Sequence, residues 1–311
     1  MRVAFNTYSN NLQSQLASLS SRQNQLQIQA SSGQRIQYAE DDPTAMQQVL
    51  NMQAQAKQTD QYQNNVASQL DLAQASYTAI NSLKTITNRV GEITTLTNDL
   101  TSPDQMSVYG NEVNELIKQA VTILNTKNNN TYLFGGTQTA NPPYQMETDE
   151  NGNVTSISFE GNEDENAVEI ASNTTLSALI PGSSSSNTPG KGLVADSASG
   201  VDLFSHMLAL RDDLKTGNTK SIASTDRPAL QIDADNVIYQ IGCNGAVQAR
   251  LETAQAIAKN QTLALNTQVS NLASADIAQT SIQLSQTQTA YQAAAQSSSK
   301  IMSMSLMDYL R

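Results

Sequence analysis

The residues that could do chemistry in this 311-residue chain are few, and the first is its single histidine, His206. Acyl transfer by a serine needs an imidazole beside a hydroxyl held on a sharp strand-to-helix turn. No such turn is legible, and between Ser205 and Met207 on an expected helix His206 reads as a boundary residue. One histidine and one cysteine, Cys243, cannot supply a zinc tetrad or an internal disulfide, so Cys243 reads as a small helix residue. Asp149, Asn151 and Asn153 alternate like the opening of a calcium loop, yet Val154 stands where that loop needs glycine, and hairpin-turn chemistry uses the same residues. Gly190-Lys191-Gly192 lacks the upstream glycine, the following hydroxyl and the preceding strand of a phosphate loop, and reads as linker. Glu160, Glu163, Asp164, Glu165 and Glu169 read as a solvated loop and strand edge. No catalytic residue, cofactor or metal site is expected, and the chain reads as a non-enzyme.

What remains is pattern. Phe5, Leu12, Leu19 and Leu26 are spaced by seven, with Leu16 and Ala30 four residues after two of them, which is the narrow seam of a coiled-coil helix. Ile277, Leu284 and Tyr291 repeat the spacing at the other end, and Ala295, Met302 and Tyr309 form a second row beside Ile301 and Leu306. Thin stripes on isolated helices are marginal in water, so these ends are expected to order fully only against neighbouring copies or partners. Gly33 suits the left-handed residue that closes a helix, and Asp42-Pro43 restarts one as N-cap and first turn.

Between the ends, apolar residues from Val66 to Leu100 recur in threes and fours, and Ser102-Pro103-Asp104 separates them from an antiparallel helix carrying Met106 to Ile123. From Thr131 the period changes. Tyr132-Leu133-Phe134 with Gly135-Gly136 predicts a short strand and turn, Tyr144 and Met146 pair with Ile157 and Phe159 across Asn151-Gly152, and Val168 and Ile170 suggest another strand. Pro181-Gly182, Ser183 to Ser186 and Pro189-Gly190 predict a flexible loop. Helix returns at Val201 to Lys215 and from Arg227 to Leu265, with Asn244 and Gln248 as polar interruptions; a stutter or short joint near Asp276 leads into the last helix.

The fold class is therefore mainly α, an elongated antiparallel coiled-coil bundle drawn from both chain ends with a small β-rich insertion. Its expected parts are an N-terminal assembly helix and loop over 1–42, bundle halves over 43–130 and 201–268, a β-rich surface insertion over 131–200, and a C-terminal assembly helix over 269–311. A charge of −11 excludes nucleic acid as a partner and disfavours anionic membranes. Only 14% of residues are charged, and Gln, Ser, Thr, Asn and Ala fill the helix faces, a surface suited to packing identical subunits. No run is long and apolar enough to span a bilayer, and the first residues lack the apolar core of a cleaved secretory signal, which taken alone reads as cytoplasmic.

Ser31-Ser32-Gly33-Gln34-Arg35-Ile36, followed by Ala39 and Asp41-Asp42-Pro43, resembles the N-terminal signature of the bacterial flagellin superfamily. Leu272, Asp276, Ile277, Ala278, Leu284, Gln288 and Tyr291, with Asp308-Tyr309-Leu310 at the end, resemble its closing helix. Within the superfamily, Pro43, Tyr132 to Gly136 and the last three of those residues are most similar to the hook-filament junction proteins, the third hook-associated proteins, with flagellins as the alternative. The resemblance implies a structural adaptor of the flagellum, exported through the flagellar type III apparatus by an uncleaved signal with the help of an export chaperone. It also implies self-assembly outside the cell, between the first hook-associated protein and flagellin, which replaces the cytoplasmic reading. Gly33, Arg35, Asp41, Asp42 and Pro43 would form the signature loop, and Arg35 and Asp42 would reach neighbouring subunits. A soluble coiled-coil signalling module is the rival from another class; such a hairpin carries no β insertion at its tip.

Overall fold

The computed structural model describes residues 2–186 and 192–309, with side chains described over 10–186 and 192–300. Helices dominate: α1 (Arg2–Ser32), α2 (Pro43–Leu96), α3 (Pro103–Leu124), α4 (Leu203–Thr216), a single turn α5 (Thr219–Ser221), α6 (Arg227–Ala273) and α7 (Ile277–Tyr309). A π turn, Ile222–Asp226, joins α5 to α6. The residues form two compact units: an end unit through Gln58 and from Gln261 onward, and a middle unit, Thr59–Asn260. In the end unit α1 runs against α7. Ser274 to Asp276 form a true joint between α6 and α7, with Asp276 accepting from the Gln279 N–H at 3.1 Å as the cap of α7.

In the middle unit, the strands form small separate sheets. β1 (Lys127–Asn128) and β2 (Thr131–Tyr132) pair through Asn129-Asn130, both at positive φ, the two-residue turn whose twist matches a hairpin and which asparagine tolerates. β3 (Tyr144–Thr148) pairs with β4 (Val154–Phe159) in the register the alternation predicts, Tyr144 opposite Phe159 and Met146 opposite Ile157. β5 (Val168–Ala171) and β6 (Thr174–Leu176) form another hairpin, and β7 (Ser183–Ser184), β8 (Ala195–Asp196) and β9 (Val201–Asp202) form a three-stranded sheet.

Two expectations change here. The serine run is not all loop: Ser183 and Ser184 enter β7, and Glu163 binds the Ser185 N–H and hydroxyl, so pairing and a carboxylate tie the stretch down. Pro189-Gly190 and Lys191 lie outside the described residues. Of the expected strand Tyr132-Leu133-Phe134, only Tyr132 pairs; Leu133 and Phe134 are fully buried instead.

Those two side chains join Tyr144, Val154 and Leu193 in one core with Ile80, Leu83, Ile117, Leu203, Met207 and Leu210 of the helices. The insertion shares the bundle's core because its strands are too short to enclose one. Helix amides complete the docking. Asn125 exchanges two hydrogen bonds with the Tyr144 backbone (2.8 and 3.0 Å), Asn114 accepts from the Val154 N–H (2.9 Å), Gln69 accepts from the Ala178 N–H (2.9 Å), and Asn236 donates to the Gly192 and Leu193 carbonyls (3.0 and 2.9 Å). Strands with one paired edge need partners for their other backbone groups, and these amides supply them.

Candidate assembly site

Gly33 ends α1 at φ +70°, a conformation that costs an L-residue about 1–2 kcal/mol, and its N–H donates to the Gln29 carbonyl at 2.9 Å. The chain leaving it meets the α6–α7 joint. The Ala275 N–H donates to the Gly33 carbonyl (2.8 Å), Gln34 bridges Ser274, and the Arg35 N–H donates to the Ala273 carbonyl (2.6 Å). The Arg35 guanidinium then donates to the Leu272 carbonyl at 2.9 Å, taking up a free carbonyl at the end of α6. Ile36 and Leu26 are buried beneath, with Ala273.

The two carboxylates of the loop divide the remaining work. Asp41 accepts from the Gln37 and Tyr38 N–H groups at 3.0 Å each and from the Gln25 amide at 3.3 Å; the Tyr38 bond foremost, then the Gln37 bond, holds its carboxyl below the usual range. Asp42 accepts from the Ala45 N–H at 3.0 Å, as N-cap, and Pro43 opens α2. Arg35 and Asp42 also pair at 3.7 Å, an exposed contact that contributes at most about 1 kcal/mol. Beside the loop lies a groove of about 520 Å³ lined by Asn24, Ile28, Arg35, Tyr38 and Asp41.

The expected seam is filled unevenly. Leu26 is buried at 2% exposure, whereas Leu12, Leu19 and Leu284 are half-buried, Ile277 is 46% exposed and Tyr291 is at the surface. Small and polar residues, Thr280 and Ser298, occupy buried positions on α7 instead. The side chains of Phe5, Met302 and Leu306 lie outside the described residues, on helices whose backbone continues through them. Sequence reading missed Ile28 and Ile282, 42% and 60% exposed, and the amides of Gln25 and Gln29 that hold the loop. The two glutamines stand one turn apart on α1 just before Gly33, a signal that was there to be read.

The other chemical candidates have local roles. His206 Nδ1 lies 2.7 Å from Asp233, tying α4 to α6, and burial pushes the Asp233 carboxyl up. Asp149 accepts from the Asn151 and Asn153 N–H groups as a turn. Glu169 accepts from the Tyr62 hydroxyl. Among the described residues, no group of three or more His, Cys, Asp or Glu side chains could hold a metal, and no helix is long and apolar enough to cross a membrane.

The clamp thus joins the two segments that carry the signature residues of both chain ends, and the sequence patterns covering those ends agree. The bacterial flagellin N-terminal helical region matches residues 3–139, and the bacterial flagellin C-terminal helical region matches residues 236–310. The chain belongs to the bacterial flagellin family. Among solved structures, this flagellin-family chain is similar to a Vibrio parahaemolyticus chain assigned to the flagellar hook-associated proteins, at 17% identity and TM-score 0.63, over 75% of this chain and 100% of that one. It is similar to flagellar hook-associated protein-3 of Legionella pneumophila (11%, 0.59, 72% and 98%) and to Bacillus cereus FlgL (16%, 0.53, 70% and 97%). No curated protein matches the chain in sequence.

Proposed function

We propose that this flagellin-family chain is a structural, non-enzymatic adaptor of the bacterial flagellum that polymerises at the hook-filament junction and templates filament growth. The observation that carries the reading is the end unit: two terminal helices held in register by the Gly33–Arg35 clamp, with Ile28, Ile277, Ile282 and Tyr291 left at the surface. Apolar side chains on ordered helices favour burial, and further copies of the same helices offer the complementary surface. Ile232, Tyr239 and Ile257, exposed on α6, offer a second row for packing between copies. The fold shared with hook-associated and FlgL structures supports the junction position.

In this reading copies of the chain contact one another, the first hook-associated protein on one side and flagellin on the other, outside the cell. An export chaperone and the flagellar type III apparatus deliver the chain. The assembly segments are 1–42 and 269–311, the bundle halves 43–130 and 201–268, and the insertion 131–200; Arg35 and Asp42 keep exposed surface for a neighbouring subunit. The test is gene deletion with electron microscopy of the cell surface and immunoblotting of the medium. Complete hooks with flagellin shed as monomer support the junction role. Normal filaments contradict it, and loss of both attached and shed filament protein identifies the chain as a flagellin.

A further inference from the structure

A buried acidic pair in the middle unit has no part in assembly. Asp226 closes the π turn that leads into α6; it is 3% exposed, and its Oδ2 has no hydrogen-bond donor. The side chain it meets is another carboxylate, Asp213 of α4, whose Oδ1 accepts from the Asn218 amide at 3.2 Å. π turns are rare and widen a helix locally, and this one sets an acid against an acid.

The neighbouring cations are engaged elsewhere. His206 of α4 is the charge that opposes the acidic pair, but its Nδ1 is bound to Asp233 of α6, which also accepts from the Asp202 N–H. Arg227 donates to the Thr94 carbonyl, Arg211 to Asp212 and the Val154 carbonyl, and Lys215 to Asn153. Two carboxylates in contact with no donor between them cannot both ionise without a large electrostatic cost, and one shared proton converts the repulsion into a hydrogen bond.

We propose that Asp213 and Asp226 form a proton-holding joint that ties α4 to the start of α6 in acid and loosens when the shared proton leaves. Burial foremost, then Asp213, pushes the Asp226 carboxyl up to about 6. A carboxyl raised on folding adds stability that is complete below its unfolded value and is lost as pH rises through the folded one. The stability this pair adds therefore disappears between about pH 4 and pH 6. That slope is opposite in sign to the one an acid held by hydrogen bonds gives, such as Asp41.

The experiment is urea unfolding of the full chain from pH 5 to pH 8, comparing wild type with Asp226→Asn, whose amide can donate to Asp213 as the protonated acid does. The substitution should reduce the unfolding constant on the order of a hundredfold at pH 8, an advantage that shrinks about tenfold by pH 5. A difference that does not change with pH, or a variant less stable at pH 8, overturns the proposal. Carboxyl carbon NMR of the wild type gives an independent reading. A midpoint for Asp226 near 6 that falls in Asp213→Asn supports the joint, and a midpoint below about 4.5 in the wild type refutes it.

Discussion

The two units solve the same problem to different degrees. In the middle unit Ile80, Leu83, Phe134, Leu203 and Leu210 are completely or almost completely removed from water, and its exposed apolar residues on α6 lie outside a finished core. On α1 and α7 of the end unit, Leu26 is the only large apolar side chain that is buried among those described. A helix pair of this kind has its register set by a backbone clamp but lacks the third surface that would complete a core. The difference separates folding from assembly: the middle unit contains what it needs, and the end unit supplies one part of a larger bundle.

Phe134→Ala should break the comparison from the middle side. It empties a fully buried site shared by the insertion and the helices, and should cost about 3–5 kcal/mol in urea unfolding of the full chain. Its counterpart is the double substitution Leu19→Asp and Leu284→Asp, which should abolish incorporation into filaments while the cooperative unfolding of the middle unit stays within about 0.5 kcal/mol of wild type. Loss of that cooperative transition would mean that the units are not independent.

Smaller effects sharpen the picture. Asn114→Ala strands the Val154 N–H without its partner and should destabilise the middle unit by about 1–3 kcal/mol, read in the same unfolding experiment. Gly33→Ala should cost about 1–2 kcal/mol at the clamp, from backbone conformation alone, because nothing lies within 4 Å of the added methyl. Faster hydrogen exchange at the Ala275 amide would report it.

The periodicity carried most of this fold into view. Leucine spacing marked α1, Pro43 and Pro103 marked helix starts, and alternation placed Tyr144 opposite Phe159. Polar residues were harder to read, because an asparagine that stops a helix, turns a hairpin or docks a strand looks the same in sequence. Asn129-Asn130 read as a stop and are also a turn, and Asn114 and Asn125, which hold the insertion, carried no periodic signal. At the site, the identities of Gly33, Arg35 and Asp42 were legible. The partners of Arg35 were not, because they are the carbonyls of Leu272 and Ala273, and backbone groups leave no trace in residue type.

The most direct measurement is hydrogen exchange of the free chain and of the same chain assembled with its partners. If the end unit is completed by assembly, amides of α1 and α7 exchange fast in the free chain and become strongly protected in the assembly, while those of α3 and α4 are protected in both. Equal protection of α1 and α7 in the two states would contradict the account, because the terminal helices would then already be complete in the single chain.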